Sequence, residues 1–401
     1  MKSLGRQIMK KGYERIYARI DLDNILYNLR AMALTSMPEN GYVAVLKADG
    51  YGHGAREIAR LLEEESTVWG YAVATPEEGL SLRKHGILKP ILLLADVPKD
   101  RYEEMILNDI RLPIFEENKA RSLSETAKKL EKNAVIHLKL DTGMGRIGLT
   151  PDEKGLREAV KICGLEGITA EGLFTHLATA DMEDTKDAKA QVSLFRGFKK
   201  ALWEAGVKPP LCHYANSAAT IGMENGDSAL CRVGISLYGL YPSEVSEMHK
   251  TSLLPAMSLK SAVSYVKTVP CKTPIGYGGA FVTERESVIA TVSAGYADGY
   301  PRSLSQKGEV LIHGKRCRIA GRICMDQFMV DVTELSKTCN VTEGDTVTLI
   351  GEDGNECITM EELGNISGRF NYELACDISK RVPRVFMKDG LEISSRDYFS
   401  E

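Results

Sequence analysis

The chain has 401 residues, more than one compact domain usually holds, and its 43% hydrophobic and 26% charged residues are typical of a globular protein. Its formal net charge of -4 argues against nucleic acid or an anionic membrane as the main partner, because phosphate binding needs a basic surface. Nine scattered cysteines without a C-x-x-C pair lack metal-finger spacing and favour reduced thiols. The basic N-terminus lacks the apolar core of a signal peptide, so we expect a soluble cytoplasmic protein.

From residue 20 to about residue 250, short apolar runs alternate with longer amphipathic stretches. Near-continuous apolar runs of this kind suit parallel strands that are covered on both faces. Stretches between them, such as 53–65, have helical periodicity, and Asp23 is a candidate N-cap for the first helix. The eight candidate strands are 43–48, 69–74, 90–95, 111–115, 135–141, 172–176, 211–215 and 232–239.

Eight strand–helix units predict an α/β protein with an N-terminal (β/α)8 barrel over residues 20–253, and a doubly wound open sheet is the alternative. Barrel enzymes carry their chemistry at the carboxyl ends of the strands. Polar side chains stand at or near such ends here and favour the barrel: Lys47, Lys139, His176, Ser217 and Arg232.

A different pattern follows, in which short β-rich segments are separated by Gly, Asp and Lys turns. This pattern predicts a C-terminal, mainly antiparallel β domain over residues 254–401. Residues 1–19 are assigned to a leader and a strand associated with that domain.

Lys47 is the first candidate for chemistry, because it ends a strand whose other residues are apolar. A lysine in such a place is costly unless it is paired, neutralised or used covalently. The following D-G-Y-G-H-G gives a turn whose backbone is open to an anion, and a surface lysine is the alternative. The loop LKLDTGMGRIG places Arg146 where it could clamp an anion, with Lys139 beside it, or forms an ordinary solvated loop.

The loops after the seventh and eighth strands are where barrels commonly hold phosphate. HYANSAAT begins a helix there, with Asn216 or Ser217 as its cap, and Gly234 and Ile235 follow in the next loop. A helix start with a hydroxyl suits phosphate, so these residues form a candidate phosphate site. His176, at the end of the sixth strand, is either structural or part of the same site.

In the β-rich half, the segment GYADGY puts Tyr296 on a turn from which its hydroxyl can reach outward as an acid or base. Together with this segment, VLKADGYGHG, LKLDTGMGRIG, HYANSAA, CRVGISLYG, GRICMDQ and NYELAC resemble motifs of the alanine racemase family, in the same order. The resemblance runs from about residue 18 to 390. It implies a pyridoxal 5'-phosphate enzyme that interconverts L-alanine and D-alanine by two-base proton transfer and supplies D-alanine for peptidoglycan. It also implies a head-to-tail homodimer with shared active sites.

The resemblance implies a role for each matching residue. Lys47 would hold the cofactor covalently and exchange the α-proton on the D-side, while the partner subunit's Tyr296 would serve the L-side. Arg146 and the backbone of Met325 would contact the substrate carboxylate and the cofactor. In some relatives the lysine that matches Lys139 carries a carbamate. Asp326 would lie beside Met325 at the interface. The other residues that the resemblance places in contact with the cofactor are Tyr51, His176, Asn216, Ser217, Arg232, Gly234, Ile235 and Tyr372.

Four other functions remain open. The soluble racemase portion of a membrane-bound serine racemase of the vancomycin-resistance type is expected to have Asn where this chain has Tyr372. A broad-specificity periplasmic racemase would need an export signal, and a basic amino-acid decarboxylase would be longer, with other C-terminal motifs. A non-enzymatic pyridoxal phosphate-binding protein would be a single barrel without the β domain that carries Tyr296.

Overall fold

The protein is described by a computed structural model, in which residues 15–36, 38–245, 248 and 250–400 are placed. The chain divides into a barrel unit, Ile25–Leu254, and a β unit that combines the residues up to Asn24 with Pro255 onward. The described chain begins with β1 (Ile16–Asp21), a strand of the β unit. Residues 1–14 of the expected leader lie outside the described residues.

The barrel unit contains an eight-stranded parallel sheet in the order β8-β7-β6-β5-β4-β3-β2-β9. Backbone N–H groups of Ala229 and Arg232 donate to the carbonyls of Cys212 and Ala215, each at 2.9 Å, and bring the two end strands together. The predicted barrel is therefore confirmed. Its strands are β2 (Tyr42–Val45), β3 (Val68–Val73), β4 (Ile91–Leu93), β5 (Ile110–Ile114), β6 (Ala134–Lys139), β7 (Ile168–Phe174), β8 (Leu211–His213) and β9 (Cys231–Val233).

Helices follow these strands and cover the sheet with their apolar faces. In the helix at Ala55–Leu62, for example, Ile58, Ala59 and Leu62 are buried while Arg60 is exposed. The helices are α1 (Leu22–Thr35), α2 (Lys47–Tyr51), α3 (Ala55–Leu62), α4 (Pro76–Lys84), α5 (Tyr102–Leu107), α6 (Glu117–Lys129), α7 (Glu153–Cys163), α8 (Lys186–Glu204) and α9 (Ser217–Gly222). Within the described residues, no helix is both long enough and apolar enough to cross a membrane.

Two local predictions were wrong. The segment expected as one strand over 232–239 is a three-residue strand, β9, followed by a 3-10 helix at Ile235–Tyr238. Apolar side chains alone cannot separate these two conformations when the run is this short. The first helix begins earlier than expected, because Asp21 Oδ1 accepts N–H groups of Asp23 and Asn24 at 3.2 Å each, so Asp21 caps it and Asp23 lies in its first turn.

The β unit contains a ten-stranded sheet in the order β18-β17-β14-β15-β16-β13-β10-β1-β19-β20. Strand β17 also pairs with β10, so the strands from β17 to β10 form a closed ring. All pairings are antiparallel except that of β1 with β19, which confirms the mainly antiparallel prediction. The strands after β1 are β10 (Met257–Val269), β11 (Pro274–Ile275), β12 (Phe281–Val282), β13 (Ser287–Val292), β14 (Glu309–Ile312), β15 (Lys315–Ala320), β16 (Phe328–Asp331), β17 (Thr346–Asp353), β18 (Glu356–Ile358), β19 (Arg384–Lys388) and β20 (Leu391–Arg396).

Short helices complete the β unit: α10 (Thr333–Ser336), α11 (Met360–Ser367) and α12 (Asn371–Asp377). Thr359 caps helix α11 by accepting the N–H of Glu362 at 3.0 Å. Helix α12 was not predicted. It is only seven residues long, and its two buried apolar side chains, Leu374 and Ala375, are too few to show a period.

Candidate active site

Lys47 follows the carboxyl end of β2 and begins a turn with unusual backbone geometry. Ala48, Asp49 and Gly50 have φ near 52°, 53° and 64°, all in the left-handed region. The turn is closed by hydrogen bonds from Gly50 N–H to Leu46 O at 2.8 Å and from Gly52 N–H to Ala48 O at 2.9 Å. Left-handed residues other than glycine are costly, so this geometry marks a constrained position directly after the lysine.

The expected phosphate-binding residues do come together in the barrel unit. The backbone N–H of Gly234 donates to Ser217 Oγ at 2.9 Å, and a Cβ added to Gly234 would lie 2.6 Å from Tyr51 Oη. Only glycine leaves room for that hydroxyl. Asn216 caps α9 by accepting the N–H of Ala219 at 3.0 Å, which decides between the two expected caps, and Ile235 follows Gly234.

These residues form an anion cradle, by which we mean the hydroxyls of Tyr51 and Ser217 with the backbone at Gly234 and Ile235. Helix α9 has only six residues, so its dipole is a minor contribution. Hydroxyl and backbone N–H donors are instead the groups that suit a phosphate. The phosphate site stays a prediction, and hydroxyl and backbone groups would be its physical basis rather than the helix start that the sequence suggested.

Arg232, on β9, is 3% exposed and has several partners within the barrel. Its Nη1 donates to His213 Nδ1 at 2.7 Å, and its Nη2 donates to Thr175 O at 2.7 Å and Tyr214 O at 3.2 Å. Nη2 also lies 3.5 Å from His176 Nδ1. Burial lowers the pKa of Arg232 to about 10, which leaves the guanidinium charged at neutral pH.

His176 lies just beyond β7, where desolvation and nearby positive charges lower its pKa to about 3. Its imidazole is therefore neutral under physiological conditions. The charges that act on it come from three segments of the barrel unit: Arg232 on β9, Lys139 and Arg146 at the end of β6 and in its loop, and Lys47 after β2. The cationic candidates of the sequence are thus close enough to His176 to lower its pKa.

Lys139, the last residue of β6, is 2% exposed and its Nζ donates to Leu140 O at 2.7 Å and Ile147 O at 3.2 Å. Burial, reinforced by the charges of Arg232 and Arg146, lowers its pKa to about 8, although Asp141 opposes the shift. Arg146 itself is exposed on the following loop.

Asp141 shapes that loop, because its Oδ1 accepts backbone N–H groups of Gly143, Met144 and Gly145 at 3.0, 2.9 and 3.1 Å. The T-G-M-G turn is consequently folded back on the end of β6 rather than extended. This local ordering holds Arg146 beside the strand ends, where its charge acts on both Lys139 and His176.

In the β unit, Tyr296 begins a 3-10 turn at Tyr296–Asp298 and is 42% exposed. Its N–H donates to Cys324 O at 3.1 Å, and Ala297 N–H donates to Met325 O at 3.0 Å. A Cβ on Gly295 would lie 2.2 Å from Met325 O, so the glycine permits the two segments to touch. Tyr296 and Met325, which the sequence put in separate motifs, are therefore neighbours.

Two further residues of the β unit complete the predicted set. Asp326 accepts Arg381 Nη2 at 2.8 Å, and Tyr372, in α12, stacks on Phe370 with ring centroids 4.5 Å apart. A neighbouring carboxylate was not foreseen from the sequence: Asp298 is buried and accepts the N–H of Gly295 at 2.9 Å. Asp298 thereby holds the turn that carries Tyr296, and its motif GYADGY already contained that signal.

Two family models match the chain. The model "Alanine racemase, N-terminal domain" matches residues 20–242, and "Alanine racemase, C-terminal domain" matches residues 256–386. The chain belongs to the alanine racemase family. An alanine racemase of Methanococcus maripaludis is 44% identical to this family member over 372 residues, which are 93% of this chain and 98% of the relative.

Solved alanine racemases have the same fold. The enzyme of Clostridium difficile 630 has a TM-score of 0.90 and 39% identity, covering 96% of this chain and 98% of its own. An alanine racemase of Bacillus anthracis with bound L-Ala-P has a TM-score of 0.89 and 36% identity, and the match covers 98% of this chain and 100% of that enzyme. A histidine racemase of Leuconostoc mesenteroides has a TM-score of 0.86 at only 26% identity, and the match covers 94% of this chain and 100% of that enzyme. The family fold is thus compatible with more than one amino acid.

Proposed function

We propose that this member of the alanine racemase family racemises alanine with pyridoxal 5'-phosphate as cofactor. The observation that carries the proposal is the convergence, in one barrel unit, of a lysine after β2, an anion cradle and a buried arginine. The relatives that cover nearly the whole chain carry the name alanine racemase and support alanine as substrate.

The barrel residues fit the cofactor by their chemistry. The hydroxyls of the anion cradle would donate to a phosphate that lies beside the backbone at Gly234 and Ile235, and Tyr372 is a further candidate contact. Lys47 would bind the cofactor covalently, and Arg232 would face its pyridine nitrogen as a donor that stays protonated. When bound, the cofactor supplies the electron sink that stabilises the carbanion formed when the α-proton leaves.

Racemisation needs one base on each face of the α-carbon. Lys47 would hold and return the proton on the D-side, and Tyr296 would do so on the L-side. Arg146 would bind the substrate carboxylate with the backbone of Met325 beside it, and neutral His176 would pack near the cofactor ring without adding charge. These roles agree with the structure of each unit, since the barrel unit brings the charges of Lys47 and Arg146 close to His176 and the β unit makes Tyr296 and Met325 neighbours.

A homodimer with shared sites is part of the proposal. Tyr296 and Met325 are 42% and 52% exposed, so their own unit does not enclose them. Bases for a water-sensitive proton transfer are better placed in an enclosed site, and a second subunit would provide the enclosure. In the head-to-tail arrangement, the partner subunit's Tyr296 completes the site that contains Lys47.

The proposed biological role is the supply of D-alanine for cell-wall peptidoglycan. Nine cysteines outside any disulfide fit a reducing compartment, so we also propose a cytoplasmic location. Tyr372 favours alanine over serine, because a bulky ring there leaves less space than the Asn expected of serine racemases. A serine or broad-specificity racemase of the same family is the second candidate, supported by the histidine racemase with this fold.

The testing experiment measures initial rates with purified, cofactor-reconstituted protein. L-alanine, L-serine and L-histidine are each offered below saturation, and the D-isomer is quantified by chiral chromatography. We expect the highest kcat/KM for alanine. A higher value for serine or histidine would contradict the substrate assignment, and bound cofactor without any D-isomer would indicate a binding protein instead of an enzyme.

A further inference from the structure

A continuous chain of polar side chains crosses the interior of the barrel below Arg232. His213 Nε2 lies 3.0 Å from His137 Nδ1, and His137 Nε2 lies 3.0 Å from Glu171 Oε2. Glu171 in turn pairs with Arg111, whose Nε is 3.2 Å away. Both histidines are fully buried.

This chain connects the two ends of the barrel. At one end Arg232 donates to carbonyls just beyond the carboxyl ends of β7 and β8. At the other end Arg111 Nη1 donates to Asp109, the residue before β5, at 2.7 Å. Since all eight strands are parallel, these are opposite faces of the barrel, and the chemistry lies at the first of them.

The donor-only guanidinium at one end and the acceptor-only carboxylate at the other together give these hydrogen bonds one direction. A guanidinium has donors but no acceptor, so His213 Nδ1, at 2.7 Å from Arg232 Nη1, must offer its lone pair. A neutral His213 then carries its proton on Nε2 and donates it to His137 Nδ1. By the same reasoning His137 carries its proton on Nε2 and donates to the Glu171 carboxylate.

The charge states agree with this direction. Burial keeps the pKa of both His137 and His213 below the usual histidine range, so both rings are neutral. Burial alone would raise the pKa of Glu171, but the hydrogen bond from His137 and the Arg111 guanidinium bring it below its ordinary value. The chain therefore starts at a cation and ends at an anion.

The backbone is built around the His137 ring. A Cβ added to Gly172 would lie 2.3 Å from His137 Nδ1, so only glycine at this position of β7 admits the ring. His137 and Gly172 are register partners, and the register between β6 and β7 shifts just before them. A bulge of this kind re-aims a side chain. The contact between His137 and Glu171, adjacent to Gly172 on β7, is thus a specific feature of the fold.

We propose that Glu171, acting through His137 with Arg111 as its counter-charge, is a positioning residue for Arg232. The carboxylate fixes the proton of His137 on Nε2, which fixes the proton of His213 on Nε2. That leaves the His213 Nδ1 lone pair facing Arg232 and holds the guanidinium in its orientation. The proposal rests on the proposed function, in which Arg232 faces the cofactor ring.

Loss of the Glu171 charge would release this constraint. A protonated Nδ1 on His137 would meet the N–H of His213, and a flipped His213 would turn a second N–H toward Arg232. Two donors that face each other in a buried site cannot be satisfied, so Arg232 would move. Changes along such a contiguous network typically alter function by about 3- to 30-fold.

The first test needs no variant and no activity. Neutron diffraction from crystals of the holoenzyme locates the deuterons on each ring nitrogen, which X-ray data at ordinary resolution do not show. We expect a deuteron on Nε2 and none on Nδ1 in both His137 and His213. A deuteron on Nδ1 of either ring would overturn the proposal, whether or not the protein racemises alanine.

The second test compares Glu171→Gln with a matched control. Glu166 lies just before β7, is exposed and pairs with Lys128 at 3.0 Å on the surface. Glu166→Gln therefore removes the same charge without affecting the hydrogen-bonded side chains below Arg232. In crystals of Glu171→Gln we expect the distance between Arg232 Nη1 and His213 Nδ1 to lengthen. We also expect a changed absorption maximum of the bound cofactor and a kcat lowered about 3- to 30-fold with KM less affected.

Glu166→Gln should match the wild type in all three measurements. Glu171→Asp keeps the charge and should recover part of the kcat. An unmoved Arg232 with an unchanged spectrum in Glu171→Gln would overturn the positioning role. Absence of racemisation by the wild type would instead contradict the proposed function, while the proton positions would still decide the direction of the chain.

Discussion

Lys139 and Arg232 in the barrel unit are 2% and 3% exposed, whereas Tyr296 and Met325 in the β unit are 42% and 52% exposed. In the barrel, burial and the positive charges of Arg232 and Arg146 lower the pKa of Lys139 to about 8. Burial lowers the pKa of Arg232 to about 10. The β unit offers its candidate groups on turns, held by backbone hydrogen bonds.

Under the proposed function, the contrast separates two ways to place a functional side chain. Groups whose protonation must be tuned are placed where water is scarce, because desolvation changes the relative free energy of their charged forms. Groups that must reach into another surface are placed on ordered turns, where the backbone is fixed but the side chain remains accessible. The following changes test this division, from the largest expected effect to the smallest.

Lys47→Ala should have the largest effect, because it removes both the covalent link to the cofactor and one of the two proposed bases. We expect loss of the yellow absorbance band and a fall in racemisation beyond the ~10²–10⁴-fold typical of one lost acid or base. Borohydride reduction of the wild type should label the peptide that contains Lys47. The exposed Lys208→Ala is the control, and label on any other lysine would show that the barrel site is assigned wrongly.

Tyr296→Phe removes only a hydroxyl from the exposed turn, and we expect a loss of ~10²–10⁴-fold in kcat. The variant also tests whether the two units act across subunits. When it is mixed with Lys47→Ala under conditions that exchange subunits, activity should return to about a quarter of wild type, because half the dimers are mixed and each has one intact site. No recovery, with exchange verified by mass spectrometry, would mean that both bases come from one chain.

Lys139→Gln tests whether the lowered pKa in the barrel serves a covalent modification. A neutral amine is the form that reacts with carbon dioxide, and its fraction rises as pH rises through about 8. We expect wild type incubated with ¹³C-bicarbonate to give a carbamate signal in NMR, and the variant to lack it and to lose about tenfold in kcat/KM, as for one charge-assisted hydrogen bond. Wild type without the signal would leave Lys139 as an ammonium that ties down its loop through two carbonyls.

Without the carbamate, Lys139 also makes folding depend on pH. Its folded pKa of about 8 lies below that of a free lysine. Between these two values the unfolded chain binds more protons than the native one, so the free energy of unfolding should rise with pH in that window. Lys139→Gln should lack this contribution in denaturant titrations.

Tyr372→Asn should have a smaller effect, on selectivity rather than on rate. We expect the ratio of serine to alanine kcat/KM to rise several-fold, because a smaller polar group replaces the ring that stacks on Phe370. Tyr372→Phe keeps the ring and separates its bulk from its hydroxyl. An unchanged ratio in Tyr372→Asn would remove this residue from the substrate choice.

The barrel was predictable from the sequence because its strands are short apolar runs, and several of them are followed by a polar residue. Lys47 and Ser217 could be selected by that position, whereas Arg232 lies within β9, which the sequence predicted to extend to residue 239. Their proximity follows from the parallel order of the strands. The roles assigned to them remain predictions, since they depend on a resemblance and on a cofactor.

The buried chain below Arg232 could not be predicted in the same way. Its members come from five different strands, and no short sequence spacing connects them. A partial signal existed, because His137 and Lys139 are two residues apart in a strand and so share a face. The sequence also gave no means of recognising that Gly172 was there to admit a ring.

The turn after Lys47 raises a question of chirality. Ala48, Asp49 and Tyr51 have φ of 52°, 53° and 52°, a region that costs an L-residue roughly 1–2 kcal/mol and that its mirror image prefers. A D-alanine introduced at position 48 by chemical ligation should therefore raise the free energy of unfolding by about 1 kcal/mol, as measured in denaturant, and an unchanged midpoint would contradict this. If the proposed activity is correct, the product of the reaction is the very enantiomer that this segment of the chain would accommodate best.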